Sequence, residues 1–183
     1  MDRYITLIAV FFILLVNGQK IDSLERYNYY RSSDYLDLVK KLESGKGNCD
    51  DYKQFARTRT EVKLMSFTKK IAKKCNCKQA YQDLYQFYYL LNKELSNGKN
   101  RDCDTLLLNN LDNNKRNFAV KALLKADIDK LTIATFYYFG IYVKKDRKKA
   151  IALYKSDYQY EATDKEIIEE LESMKNMLVP CPK

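Results

Sequence analysis

Residues 79–95, QAYQDLYQFYYLLNKEL, constrain this chain more than any other stretch. Read as a helix, they place Ala80, Tyr81, Leu84, Tyr85, Phe87, Tyr88, Leu90, Leu91 and Leu95 on nearly every side of the cylinder. A surface helix needs only one apolar stripe, whereas a helix that is apolar almost all round has to be enclosed by others. The rest of the chain must therefore supply the partners of a central helix.

It supplies them at helical spacing. Asp22 or Ser23 can cap a short tyrosine-bearing helix to Tyr30. Ser33 and Gly45 bound a second, striped by Leu36, Val39 and Leu42. From Asp50 a longer pattern reaches Lys74 through Tyr52, Phe55, Ala56, Val62, Met65, Ile71 and Ala72, with RTRT at 57–60 as its weak point. Beyond the central helix, DNNKRN reads as a turn before a helix over 115–125. Asp127 or Asp129 opens the next helix, which ends near Gly140, and Asp146 opens another. Thr163 and Glu166 form the capping box of the last helix, which VPCP stops. No segment alternates with period two between turn residues, so no sheet is expected. The fold class is all-α: a compact helical bundle or a short irregular array of helical hairpins, stapled by disulfides.

Residues 1–18 read as a signal peptide, with Arg3 ahead of an apolar run from Ile5 to Val16 and small residues at Val16 and Gly18. That run is too short to span a bilayer, and no later segment is apolar enough, so no transmembrane segment is expected. The remaining residues, 19–183, are expected to form a single α-helical domain of a secreted, extracellular protein. In an oxidising compartment Cys49, Cys75, Cys77, Cys103 and Cys181 should form two disulfides and leave one cysteine over. Cys75 and Cys77 are too close to bridge each other comfortably. The equal spacings from 49 to 75 and from 77 to 103 favour those two bridges, with Cys181 as the natural unpaired residue or as an anchor for the tail.

The chain contains no histidine, which removes Ser-His-Asp, Cys-His and His-metal chemistry. It has no glycine-rich phosphate loop, and Cys75-x-Cys77 without histidine favours disulfides over a metal. Catalytic residues, metal ligands and cofactors are accordingly expected to be none. The glutamates at 166, 169, 170 and 172 read as solvated charge on a helix face. The sixteen tyrosines and eight phenylalanines, with no tryptophan, read as amphipathic core and rim.

The net charge of +9 favours anionic partners. It is concentrated between Tyr52 and Gln82, where nine lysines and arginines accompany one acid, Glu61. Arg57, Arg59, Lys63, Lys69, Lys70, Lys73, Lys74 and Lys78 are candidates for a binding face, joined by Lys144, Lys145, Lys148 and Lys149. Lys69, Lys70, Lys73 and Lys74 recur on neighbouring turns and so share one side of a helix.

The residues Ile133-Ala134-x-x-Tyr137-x-x-Gly140-x-Tyr142-Val143-x-x-Asp146-x-x-Lys149-Ala150-x-x-Leu153-Tyr154 resemble one Sel1-like repeat, a relative of the tetratricopeptide helix pair. Ala134 and Tyr142 stand where that family usually has glycine, and Leu153 where it often has tryptophan. The likeness covers residues 133–156 only, with one faint echo at Leu84-Tyr85-x-x-Tyr88. It implies a helical hairpin and protein–protein scaffolding without catalysis. Small, basic, cysteine-bearing helical proteins of this kind look similar to arthropod saliva or venom components.

These readings lead to a non-enzymatic binding protein. It engages a protein partner, or an anionic polymer or surface such as a glycosaminoglycan, through its basic helical face; nucleic acid is less favoured. The alternative is a carrier of a small apolar ligand in a helical pocket, as in insect odorant-binding proteins, whose cysteine spacing differs from that found here.

Overall fold

The computed structural model describes residues 32–58, 66–95, 105–127, 129–157 and 162–180. These residues form helices and irregular segments, with no strand among them. The chain divides into two compact units, Met1–Thr60 and Glu61–Lys183.

The first unit contains α1 (Ser33–Glu43) and α2 (Cys49–Thr58). The cap of α1 is Ser32 rather than Ser33: its hydroxyl accepts from the Tyr35 N–H at 3.2 Å. Asp34 in the first turn and Lys40 and Lys41 in the last complement the helix dipole. Between the helices, Gly47 lies so close to Leu42 that a Cβ there would meet Leu42 Cδ2 at 2.6 Å. Asn48 opens α2 by accepting from the N–H groups of Asp50 and Asp51, and Asp51 returns the contact by accepting from Asn48 N–H. Lys41 closes the hairpin on Asp51 at 2.7 Å. Inside it, Tyr52 and Phe55 are buried, and Phe55 also stacks on Tyr35.

The second unit begins with α3 (Thr68–Cys75) and α4 (Lys78–Glu94), joined at Asn76, whose φ of 49° turns the chain sharply. The pattern over 50–74 thus belongs to two helices, α2 and α3, and not to one. Helix α5 (Asn113–Ala126) packs on α4, as does α3. Asp112 accepts from Lys115 N–H, so DNNKRN is a cap and first turn rather than a loop before the helix. Helices α6 (Lys130–Phe139) and α7 (Arg147–Asp157) form a hairpin, and α8 (Asp164–Ser173) closes on it, followed by a 3-10 turn, Met174–Leu178. Ala134, Tyr138, Ala150, Tyr154, Ile167 and Leu171 are the buried core of these three helices. Gly140 ends α6 with φ 77°, a conformation that costs a residue with a Cβ. Asp146 caps α7 by accepting from Lys149 N–H, while its own N–H donates to the Tyr137 carbonyl.

Segment 105–111 is irregular, with Thr105, Leu106, Leu108 and Leu111 buried, so its buried backbone groups must find partners. Asn92 of α4 supplies two, donating to the Leu107 carbonyl and accepting from Asn110 N–H, each at 2.9 Å. Tyr142 supplies another, its hydroxyl accepting from Leu108 N–H at 2.7 Å. Met177 accepts from both Leu106 N–H and the Thr105 hydroxyl.

The disulfide joins Cys49 to Cys77, and Cys75 carries a free thiol. This corrects the 49–75 and 77–103 pairings expected from equal spacing. Cys75 is the last residue of α3, whereas Cys77 lies beyond the turn at Asn76, in extended backbone and fully buried. The turn, rather than the spacing, decides which sulfur is presented to Cys49. Cys103 and Cys181 lie outside the described residues.

Candidate anion-binding surface

Helix α3, TKKIAKKC, is divided cleanly along its length. Thr68, Ile71 and Ala72 are fully buried, while Lys69, Lys70, Lys73 and Lys74 are all exposed. Buried Thr68 and the buried pair Ile71–Ala72 alternate with the two lysine pairs at helical spacing, so burial of one side forces the four ammonium groups onto the other. The helix carries no acid. Lys70 and Lys73 make no ion pair with any described residue.

Aromatic rings lie beneath many of the cations. The Lys69 ammonium sits over the rings of Phe118, at 5.2 Å from the centroid, and Tyr88, at 5.9 Å. Arg116 covers Tyr142, Arg147 covers Tyr138, and Lys125 covers Tyr81. Lys149 sits 4.1 Å above Tyr137 and donates to its hydroxyl. Such contacts rest the charged heads themselves on aromatic faces, which holds these long side chains close to the protein surface.

The structure sorts the basic residues singled out from the sequence. Lys69, Lys70, Lys73 and Lys74 share one face. Lys144, Lys145, Lys148 and Lys149 are exposed in the α6–α7 loop and first turn of α7. Lys78 is held by an ion pair with Asp127 at 3.0 Å. Arg57 lies in the last turn of α2, in the other unit, and Arg59 and Lys63 lie outside the described residues. Arg116 and Arg147 were not among the sequence candidates; a signal for them existed only in their reach to Tyr142 and Tyr138, which sequence spacing does not reveal.

Carboxylates in the second unit are mostly committed to structure. Asp127 receives Lys130 and Lys78, and its carboxyl is held below the ordinary value by the Lys130 contact first and Lys78 second. Glu166 is depressed by the Thr163 N–H that it accepts in the capping box. Glu172 accepts from the Tyr138 hydroxyl at 2.7 Å, and this bond, followed by burial, raises that phenol. Among the described residues no group of three or more cysteines and carboxylates is placed to hold a metal ion. No described helix is long and apolar enough to cross a membrane.

Comparison with known proteins returns no match: no protein-family model, no curated protein and no solved structure resembles this chain closely enough to assign it a family.

Proposed function

We propose that this is an exported, non-enzymatic binding protein that engages an anionic polymer or partner surface through the lysine face of α3. The observation that carries the reading is the separation within that helix: four exposed ammonium groups, no acid, and a buried opposite side. Ordinary protein surfaces intersperse the two signs of charge, and Lys69 and Lys70 in the first turn oppose the helix dipole. Such a face lowers the stability of the isolated fold and raises its attraction for anions. A disulfide favours an oxidising compartment, which supports export. The α6–α7 hairpin, taken as a single Sel1-like repeat, is read as architecture.

The test is chromatography on immobilised heparin. The protein should be retained well above physiological ionic strength, about 0.15 M, and Lys70→Glu with Lys73→Glu should elute at clearly lower salt. Both side chains are exposed, so the variant should keep the helical circular dichroism of the parent. Elution of the parent at or below physiological salt rejects the reading.

A further inference from the structure

Charge is segregated among the helices of the second unit. Helix α3 has four lysines and no acid, and α5, NNKRNFAVKALLKA, has four basic residues and no acid. Segment 144–149, KKDRKK, has five basic residues, and its one acid, Asp146, is engaged as the cap of α7. The acids gather instead on α8, DKEIIEELES.

The three basic elements are distant in sequence but meet around α5. On one flank of α5, Phe118 carries Lys69 of α3 over its ring at 5.2 Å. On the other flank, Arg116 covers Tyr142 at 5.9 Å, two residues before Lys144. Residues two apart on a helix project about 200° from each other, so Phe118 and Arg116 mark opposite sides of α5. Lys69 of α3 and Tyr142, which leads into 144–149, therefore flank one helix, about 10–12 Å across. Asn114, Asn117 and Lys121 form its exposed outer face between them.

We infer that α3, the outer face of α5 and segment 144–149 form one cationic track, and that its occupant is a sulfated polysaccharide chain laid across α5. This rests on the anion-binding reading of α3 and extends it to a partner class. The rings along the track, Phe118, Tyr142 and Tyr137, lie under the protein's own cations, which leaves no open platform for stacking bases. Only two of its cations, Arg116 and Arg147, are arginines, so the track offers mainly lysine point charges rather than bidentate forks. Among the described residues the large exposed apolar side chains are Leu36, Leu90, Leu95, Ile168 and Val179, and none of these lies on the track, whereas a membrane-seated surface needs apolar anchors beside its cations. A chain bearing sulfates at intervals needs only spaced positive charge.

The experiment measures affinity and its salt dependence for size-fractionated heparin oligosaccharides, a single-stranded DNA of matched charge and phosphatidylserine vesicles. The proteins are the parent, Lys70→Ala/Lys73→Ala and Lys144→Ala/Lys145→Ala. The longest oligosaccharide should bind at least about 100-fold more tightly than a tetrasaccharide, since only a long chain engages both flanks. Each double variant should weaken it at least about tenfold and reduce the log–log salt slope by about 2. If only the Lys70/Lys73 variant weakens binding, the track is overturned and the α3 reading survives. If neither does, the α3 reading falls with it. Equal affinity for tetrasaccharide and long chain overturns the spanning geometry. DNA or vesicles bound as tightly as the long oligosaccharide, with the same dependence on both lysine pairs, overturn the polysaccharide assignment.

Discussion

Asn92 shows how much one buried amide can hold. It is almost fully buried, and its side chain serves the Leu107 carbonyl and the Asn110 N–H while Asn110 reaches back to its carbonyl oxygen. Asn92→Ala strips partners from two backbone groups of an irregular segment. It should therefore cost about 2–3 kcal/mol in urea unfolding, against less than about 1 kcal/mol for the exposed Asn117→Ala. Asp127 is the corresponding case for charge. Its carboxyl is depressed below the ordinary 3.8 by Lys130 and then Lys78. A depressed carboxylate contributes stability above its unfolded value and loses it as pH falls through its folded value. Thermal melts should thus hold steady down to about pH 5 and fall below about pH 4, less steeply in Asp127→Asn, which starts from a lower plateau. An Asp127→Asn melt as acid-sensitive as the parent's would remove this residue from the account.

At the scale of single elements, several helix boundaries were legible where a side chain caps its own backbone. Asp129, Asp146 and Thr163 are caps in sequence and in structure, because an oxygen three residues ahead of a free N–H needs no tertiary help. Asp112 was not legible, since an asparagine-rich run serves a turn and a first helical turn alike. The α1–α2 hairpin has a sharper requirement. Gly47 leaves no room for a Cβ beside Leu42, while Gly45, at φ 75°, has open space around it. Gly47→Ala should cost about 1–3 kcal/mol by overpacking, and Gly45→Ala about 1 kcal/mol by backbone strain alone. Denaturant midpoints would give that order, and a reversed order would mean that Leu42 yields to the new methyl group.

At the scale of the molecule, the disulfide and the charge distribution give two further outcomes. Peptide mapping without reduction should return Cys49 linked to Cys77 and Cys75 alkylated; a Cys49–Cys75 peptide would contradict the turn at Asn76 as the deciding feature. Reducing the bridge should lower stability by about 2–4 kcal/mol. With no histidine in the chain, the charge of the lysine track is constant through neutrality. Heparin affinity should therefore stay level between about pH 5 and pH 7 at fixed salt; a rise on acidification would place a titrating carboxylate in the site.

Much followed from the sequence alone. Apolar residues on most sides of 79–95 pointed to a helical bundle, although Leu90 and Leu95 stay exposed, and Lys69, Lys70, Lys73 and Lys74 had to share a face, because helical geometry is local and repeats every 3.6 residues. Tertiary structure alone decided which cysteine meets Cys49, since a single left-handed residue at 76 redirects the chain. It also decided that Lys69 and Tyr142 lie on opposite sides of one helix. Those contacts join residues from distant parts of the chain, and only packing, which sums many weak interactions over the whole unit, selects among the many partners that local pattern allows.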